Sequence, residues 1–152
     1  EPKVTSMKEG FKKLNSLTFF RSKKIHHFRS EADVLEIANL DNLQGVHLDL
    51  ENSQLPSDKI SKLIKHIGQV LISINVNITS FTGDLSGQDV KLDRLRRLCL
   101  AYCNGINQQG VQNILSITGD DLIKLDLSGT SISDLELVNI GVKLDKLQIL
   151  KL

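Results

Sequence analysis

Tryptophan is absent from the 152 residues, and aromatic side chains make up only 4% of them. The interior therefore has to be filled by Leu, Ile and Val rather than by large rings. Cysteine occurs twice, at Cys99 and Cys103, too few for a disulfide scaffold. On one extended segment the pair would stand about 13 Å apart, beyond the roughly 7 Å that a disulfide spans. A reducing compartment, and so a cytoplasmic location, is the expectation. No apolar run approaches the ~18 residues of a membrane span, and none opens the chain as a signal peptide would. Net charge is only +1, so no whole-chain pull toward nucleic acid or a membrane surface is expected. Motifs of catalysis are missing too: there is no glycine-rich phosphate loop and no G-x-S-x-G elbow. His26 and His27 are adjacent rather than three or four apart, and His47, His66, Cys99 and Cys103 fall in different segments or on different faces, so no tetrahedral metal set is preassembled. The expectation is a chain without catalysis, cofactor or metal.

What is present is a repeated aliphatic pattern. Its clearest copy runs from Leu95 through Leu98, Leu100, Cys103 and Ile106, followed by Gly110, Val111, Ile114 and Leu115. Alternation of Leu98 and Leu100 describes a short strand with one buried face, and the spacing of Val111, Ile114 and Leu115 describes one helical face. The same offsets place unit starts at 14, 43, 71, 95, 122 and 147, spaced 29, 28, 24, 27 and 25. Parallel strands are expected near 15–20, 44–49, 72–77, 96–101, 123–128 and 148–151. Helices are expected behind them at Val34 to Leu40, at Ile60, Leu63, Ile64 and Ile67, at Val111 to Leu115, and at Leu135, Leu137, Val138 and Ile140. The third unit, with Gly83 and Gly87 and no helical stripe, is expected to connect by loop or a single turn. The residue after each strand, Ser22, Glu51, Thr79, Cys103 and Thr130, should turn inward and satisfy turn backbone groups. Glu51 is the misfit there, and is expected to bulge outward at a one-residue insertion before Leu55. A unit this small cannot bury its leucines alone, so neighbours must stack.

The run L-x-x-L-x-L-x-x-C-x-x-I from Leu95 to Ile106, with Gly110-Val111 leading into a helix, resembles the cysteine-containing leucine-rich repeat, and the flanking units match it more loosely. The resemblance implies an α/β leucine-rich-repeat solenoid over residues 1–152, one domain of about five full repeats plus the strand of a sixth. A parallel sheet would line the concave face, with helices and loops on the convex face. Such repeats serve as substrate receptors in F-box ubiquitin ligases, and the irregular unit lengths are also similar to the repeat arms of nucleotide-binding innate-immune sensors. Both imply a protein partner. The chain opens at Glu1-Pro2 and stops on a strand at Lys151-Leu152, so part of a longer solenoid is expected.

The strand positions that face away from the core are the candidate binding residues. One column would read Thr18, His47, Asn75, Cys99, Asp126 and Lys151, and a second Phe20, Asp49, Asn77, Ala101 and Ser128. A third would read Arg21, Leu50, Ile78, Tyr102 and Gly129. Large aromatic and cationic side chains are over-represented among interface hot spots. The partner-binding set is therefore Phe20, Arg21, His47, Asp49, Leu50, Ile78, Tyr102 and Asp126, with Leu50, Ile78 and Tyr102 as a contiguous exposed patch. The segment from Phe20 to Arg29 is basic with interleaved aromatics, and residues 1–30 carry a charge of +6. That composition would suit a nucleic acid, but a solvated turn that steers an acidic protein region accounts for it better. Asn77-Ile-Thr79 has the form of a glycosylation sequon, yet its place on a sheet strand argues against use.

Overall fold

The computed structural model describes the backbone of residues 17–19 and residues 45–86 and 89–152. Six strands, β1 (Leu17–Phe19), β2 (Val46–Asp49), β3 (Leu71–Asn75), β4 (Arg97–Cys99), β5 (Lys124–Asp126) and β6 (Ile149–Lys151), form one sheet in sequence order. Every neighbouring pair is parallel, so each strand is followed by a crossover before the next. Among the described residues, three crossovers carry helices: α1 (Ser57–Ile67), α2 (Gln108–Ser116) and α3 (Asp134–Asn139). A 3-10 turn at Gly68–Val70 leads from α1 into β3. Residues 81–86, which include Gly83, carry no helix, in keeping with the lack of a helical stripe in their sequence.

The register sets the core. Leu48, Ile74, Leu98, Leu125 and Leu150 stand level on successive strands, and the first four are at most 2% exposed. Two residues on, Leu50, Val76, Leu100 and Leu127 form a second buried row. Side chains between these rows point to the other face of the sheet. From α1 and α2 the rows receive Ile60, Ile64, Ile67, Val111, Ile114 and Leu115 in one continuous cluster.

Two expectations shift. The sequence pattern placed Leu48 in the slot of Leu100 and Glu51 in that of Cys103, whereas the pairing sets Leu48 level with Leu98. The second unit thus begins two residues later, at Gly45, and its inward slot holds Ser53, buried and small, with Leu50 one row inside. No insertion is needed, and Glu51 lies on the outer face. The offset carries to the first unit, where Phe19 pairs with Leu48. The other shift concerns α3. Leu137 and Ile140 turn toward the core, while Leu135 and Val138 are 69% and 76% exposed. At 100° per residue the two pairs lie on opposite sides of the helix, so a six-residue helix buries one pair only.

Backbone approaches backbone closely between the third unit's loop and α2. A Cβ placed on Gly83 would stand 2.6 Å from the carbonyl oxygen of Gly110, and one placed on Gly110 would strike the carbonyl oxygen of Thr82. Gly83 also has φ +78°, a conformation that glycine adopts without penalty. The pair lets a loop lie flat against a helix. At the helix starts, Asn107 accepts from the Gly110 N–H at 2.9 Å. Ser133 and Glu136 cap α3 reciprocally, each satisfying an amide that the first turn leaves unpaired.

Candidate functional site

The strands end in a series of tight exits built from side chains. On β2 the Asp49 carboxylate accepts from the Glu51 N–H at 3.1 Å. On β3 the Asn75 amide oxygen accepts from the Asn77 N–H at 3.2 Å, and on β5 Asp126 accepts from the Ser128 N–H at 3.2 Å. Each is the same turn, a side-chain oxygen taking the amide two residues on. The exit of β4 departs from it, because Cys99 occupies the position and supplies no oxygen. There the Asn77 side chain reaches across from the neighbouring unit and accepts from the Ala101 N–H at 2.7 Å. Asn77→Ala should therefore orphan a buried amide and cost about 1–3 kcal/mol. Cys99→Asn in the same background should restore most of it by rebuilding the local turn, as chemical denaturation of the single and double variants would read. A double variant no more stable than Asn77→Ala alone would refute the exchange of partners.

Behind these exits, the inward slot carries the small polar groups it requires. Ser53 accepts from the Leu55 N–H. Thr79 donates to the Val76 carbonyl at 2.7 Å and Thr130 to that of Leu127 at 2.7 Å. Cys103 also donates its thiol to the Val76 carbonyl, at 3.0 Å. Burial pushes the Cys103 thiol up from its ordinary pKa, so it acts as a packed donor rather than a nucleophile.

Just before that slot the chain takes left-handed backbone in four successive units, at Asn52 (φ +57°), Ile78 (φ +55°), Tyr102 (φ +57°) and Gly129 (φ +66°). The ladder continues through them: Asn52 N–H donates to Asn77 O, Ile78 N–H to Ala101 O, and Tyr102 N–H to Ser128 O. Asn and Gly are ordinary in this conformation, whereas a β-branched residue is an outlier there. Yet Ile78 and Tyr102 hold it with side chains 50% and 58% exposed. Tyr102 leans over the next unit, close enough that a methyl on Gly129 would strike its ring.

The register regroups the predicted site residues. His47 is level with Ser73, Arg97, Lys124 and Ile149, and its Nδ1 lies 2.8 Å from the Ser73 hydroxyl. Asp49 instead shares a row with Asn75, Cys99, Asp126 and Lys151. Leu50 does not belong to the exposed patch: it is 6% exposed and part of the core, because the two-residue offset of β2 turns it inward. Its expected place beside Ile78 is taken by Asn52. Asp126 is nearly buried and holds its own strand exit. Burial pushes its carboxyl up, but the Ser128 hydrogen bonds and the Lys151 and Lys124 charges outweigh this and hold it below the ordinary carboxylate value. Phe20, Arg21 and the basic turn to Arg29 lie outside the described residues, as does the helix expected at Val34 to Leu40. Ile78 and Tyr102 remain together as one exposed pair.

Around Cys99, the face is cationic on one side. Burial raises the thiol's pKa, with Lys124 hydrogen-bonded to it and Lys151 near it opposing the shift. Arg97 is exposed one position up the strand. Position 97 as a cationic row had no separate signal in the sequence, since the expected columns began two residues later. Among the described residues no group of three His, Cys, Asp or Glu could hold a metal, and no helix is long and apolar enough to cross a membrane. A shallow depression beside β6 is lined by Arg96, Asp121, Asp145 and Lys146, but its lysine is tied to Asp121 at 2.5 Å. Neither a scan against protein-family models nor a search of curated proteins finds a match to this chain.

Proposed function

We propose that the chain is a leucine-rich-repeat solenoid that recognises a protein partner on its open sheet face, without catalysis of its own and in a cytoplasmic setting. What supports the reading is one observation above the rest. Two units place large apolar side chains, Ile78 and Tyr102, in solvent at a backbone position that their neighbours fill with Asn52 and Gly129. For L-residues left-handed backbone costs about 1–2 kcal/mol, and exposure returns little of it. Strain kept at an exposed apolar residue is the mark of a binding group rather than of a packing one. The inward thiol of Cys103 favours a ubiquitin-ligase substrate receptor. The irregular unit lengths favour the arm of an innate-immune sensor, and an F-box or a nucleotide-binding domain encoded ahead of Glu1 would separate the two.

The test is a double variant, Ile78→Asn with Tyr102→Asn. Its unfolding midpoint should equal or exceed that of the parent, since both strained positions then hold a residue suited to them. Binding to partners captured by the parent should weaken by at least about 2 kcal/mol, measured by titration of a captured partner. Retention of the same partners at parental affinity by the folded variant would overturn the assignment of this face.

A further inference from the structure

The chemistry of the partner can be taken one step further, resting on the reading of this sheet face as a recognition surface. Its rows run from a cationic one, at Arg97 on β4 and Lys124 on β5, to the apolar pair Ile78 and Tyr102 at the strand exits. Between them lie small or self-satisfied groups, among them Cys99, Ala101 and Ser128, which project little. Asn77 and Asp126 are occupied with backbone amides. The result is a face with one charged and one apolar edge. The edges are five residues apart along the chain, from Arg97 to Tyr102, at most roughly 17 Å since the chain leaves its extended course at Ala101 and Tyr102.

The remaining charge on the face has a side as well. On β2 the row positions are acidic, Asp49 and Glu51, with Glu51 accepting from the Asn75 side chain at 3.3 Å. On β4 to β6 the cations Arg97, Lys124 and Lys151 stand against one acid, Asp126, which is 7% exposed and lies 3.5 Å from Lys151. Arg97 is exposed and makes no ion pair among the described residues. An anionic ligand is thus drawn toward β4 and β5 and repelled from β2, which is where the apolar pair ends.

We propose that the partner segment is an acidic peptide, seated across β3 to β5. One apolar side chain packs on Ile78 and Tyr102, and a carboxylate four to six residues away along an extended segment meets Arg97 and Lys124. A guanidinium and an ammonium side by side suit carboxylates of a flexible chain, with the bidentate arginine giving the stronger contact. The apolar end supplies hold, and the cationic end steers encounter.

A random-sequence peptide library displayed on phage, panned on the whole chain, tests this. Enriched sequences should pair an apolar anchor with acidic residues at that spacing. They should bind the parent about tenfold or more tightly than Arg97→Glu with Lys124→Glu, and lose affinity as salt rises. The milder pair Arg97→Gln with Lys124→Gln serves if charge reversal unfolds the protein. Enriched sequences that are neutral or basic, yet lost on Ile78→Asn with Tyr102→Asn, would overturn the acidic partner while leaving the recognition face intact. No enrichment, or enrichment indifferent to that second pair, would sink the recognition face and this proposal with it. A random single-stranded oligonucleotide captured by the parent and released by Arg97→Gln with Lys124→Gln would assign the cationic edge to nucleic acid instead.

Discussion

Replacing Leu98 by Ala is expected to lower the unfolding free energy by about 2–5 kcal/mol, read as a midpoint shift in urea at unchanged slope. Leu98 is fully buried, and it stands between Ile74 on β3 and Leu125 on β5 at the same level. Both flanking strands are hydrogen-bonded to β4, so the backbone cannot close over the vacancy that truncation leaves. The methyl groups of its neighbours then face a void, and the loss includes those contacts as well as the transfer term. Leu150→Ala offers the internal comparison. It occupies the same row on β6, where it is 45% exposed, and its truncation should cost a fraction as much. A loss at Leu98 below about 1 kcal/mol would mean that the two faces of β4 had been exchanged.

Gly110→Ala is expected to destabilise the protein by about 1–3 kcal/mol, against the ordinary direction. Alanine exceeds glycine as a helix former by about 1 kcal/mol, and Gly110 lies inside α2, so helix propensity alone forecasts a gain. The added methyl, however, would be driven into the carbonyl oxygen of Thr82, with the Ile106 side chain 3.1 Å away on another side. The obstacle is backbone, and that backbone is itself held: the Thr82 N–H donates to Ser57 at 3.0 Å. To admit a methyl, either α2 tilts away from its buried Val111, Ile114 and Leu115, or the loop lifts off the core at Phe81, which is fully buried. A thermal midpoint that rises in the variant would show that loop and helix do not meet in this way.

How far the sequence carries depends on whether a feature repeats. β3 to β6 are legible because Leu71, Leu95, Leu122 and Leu147 open each unit at the same offset from the strand. β2 is misread by two residues because Gly45 stands where the others have leucine, and Leu43, Val46 and Leu48 imitate the pattern two residues early. The correcting sign was there in Ser53, a small hydroxyl three residues beyond Leu50, against the misfit Glu51. α1 and α2 follow from their stripes; the start of α3 had a signal that the stripe does not use, the Ser133-Asp-Leu-Glu136 capping box. Of the third column, the exposure of Ile78 and Tyr102 is legible, while the burial of Leu50 is not, because its unit is offset by two residues. The cationic edge is not, since Arg97 and Lys124 become neighbours only through strand pairing. Nor is Asn77 standing in for Cys99, because a hydrogen bond lent from one unit to the next leaves no period in the chain.

That loan sets the grain at which the protein can be recombined. Repeat proteins invite exchange of units as if each were a self-sufficient cassette, cut at equivalent points. Here a cut between β3 and β4 separates the Asn77 side chain from the Ala101 amide that it serves, and a donor cassette brought in with a small residue at position 77 would leave that amide bare. Libraries that shuffle segments of this chain should therefore keep 77 and 99 on one fragment, or vary them as a single two-letter choice. In a set of diverged sequences of this protein the two positions should change together: oxygen-bearing at 99 when 77 has lost its amide, free at 99 when 77 has kept it.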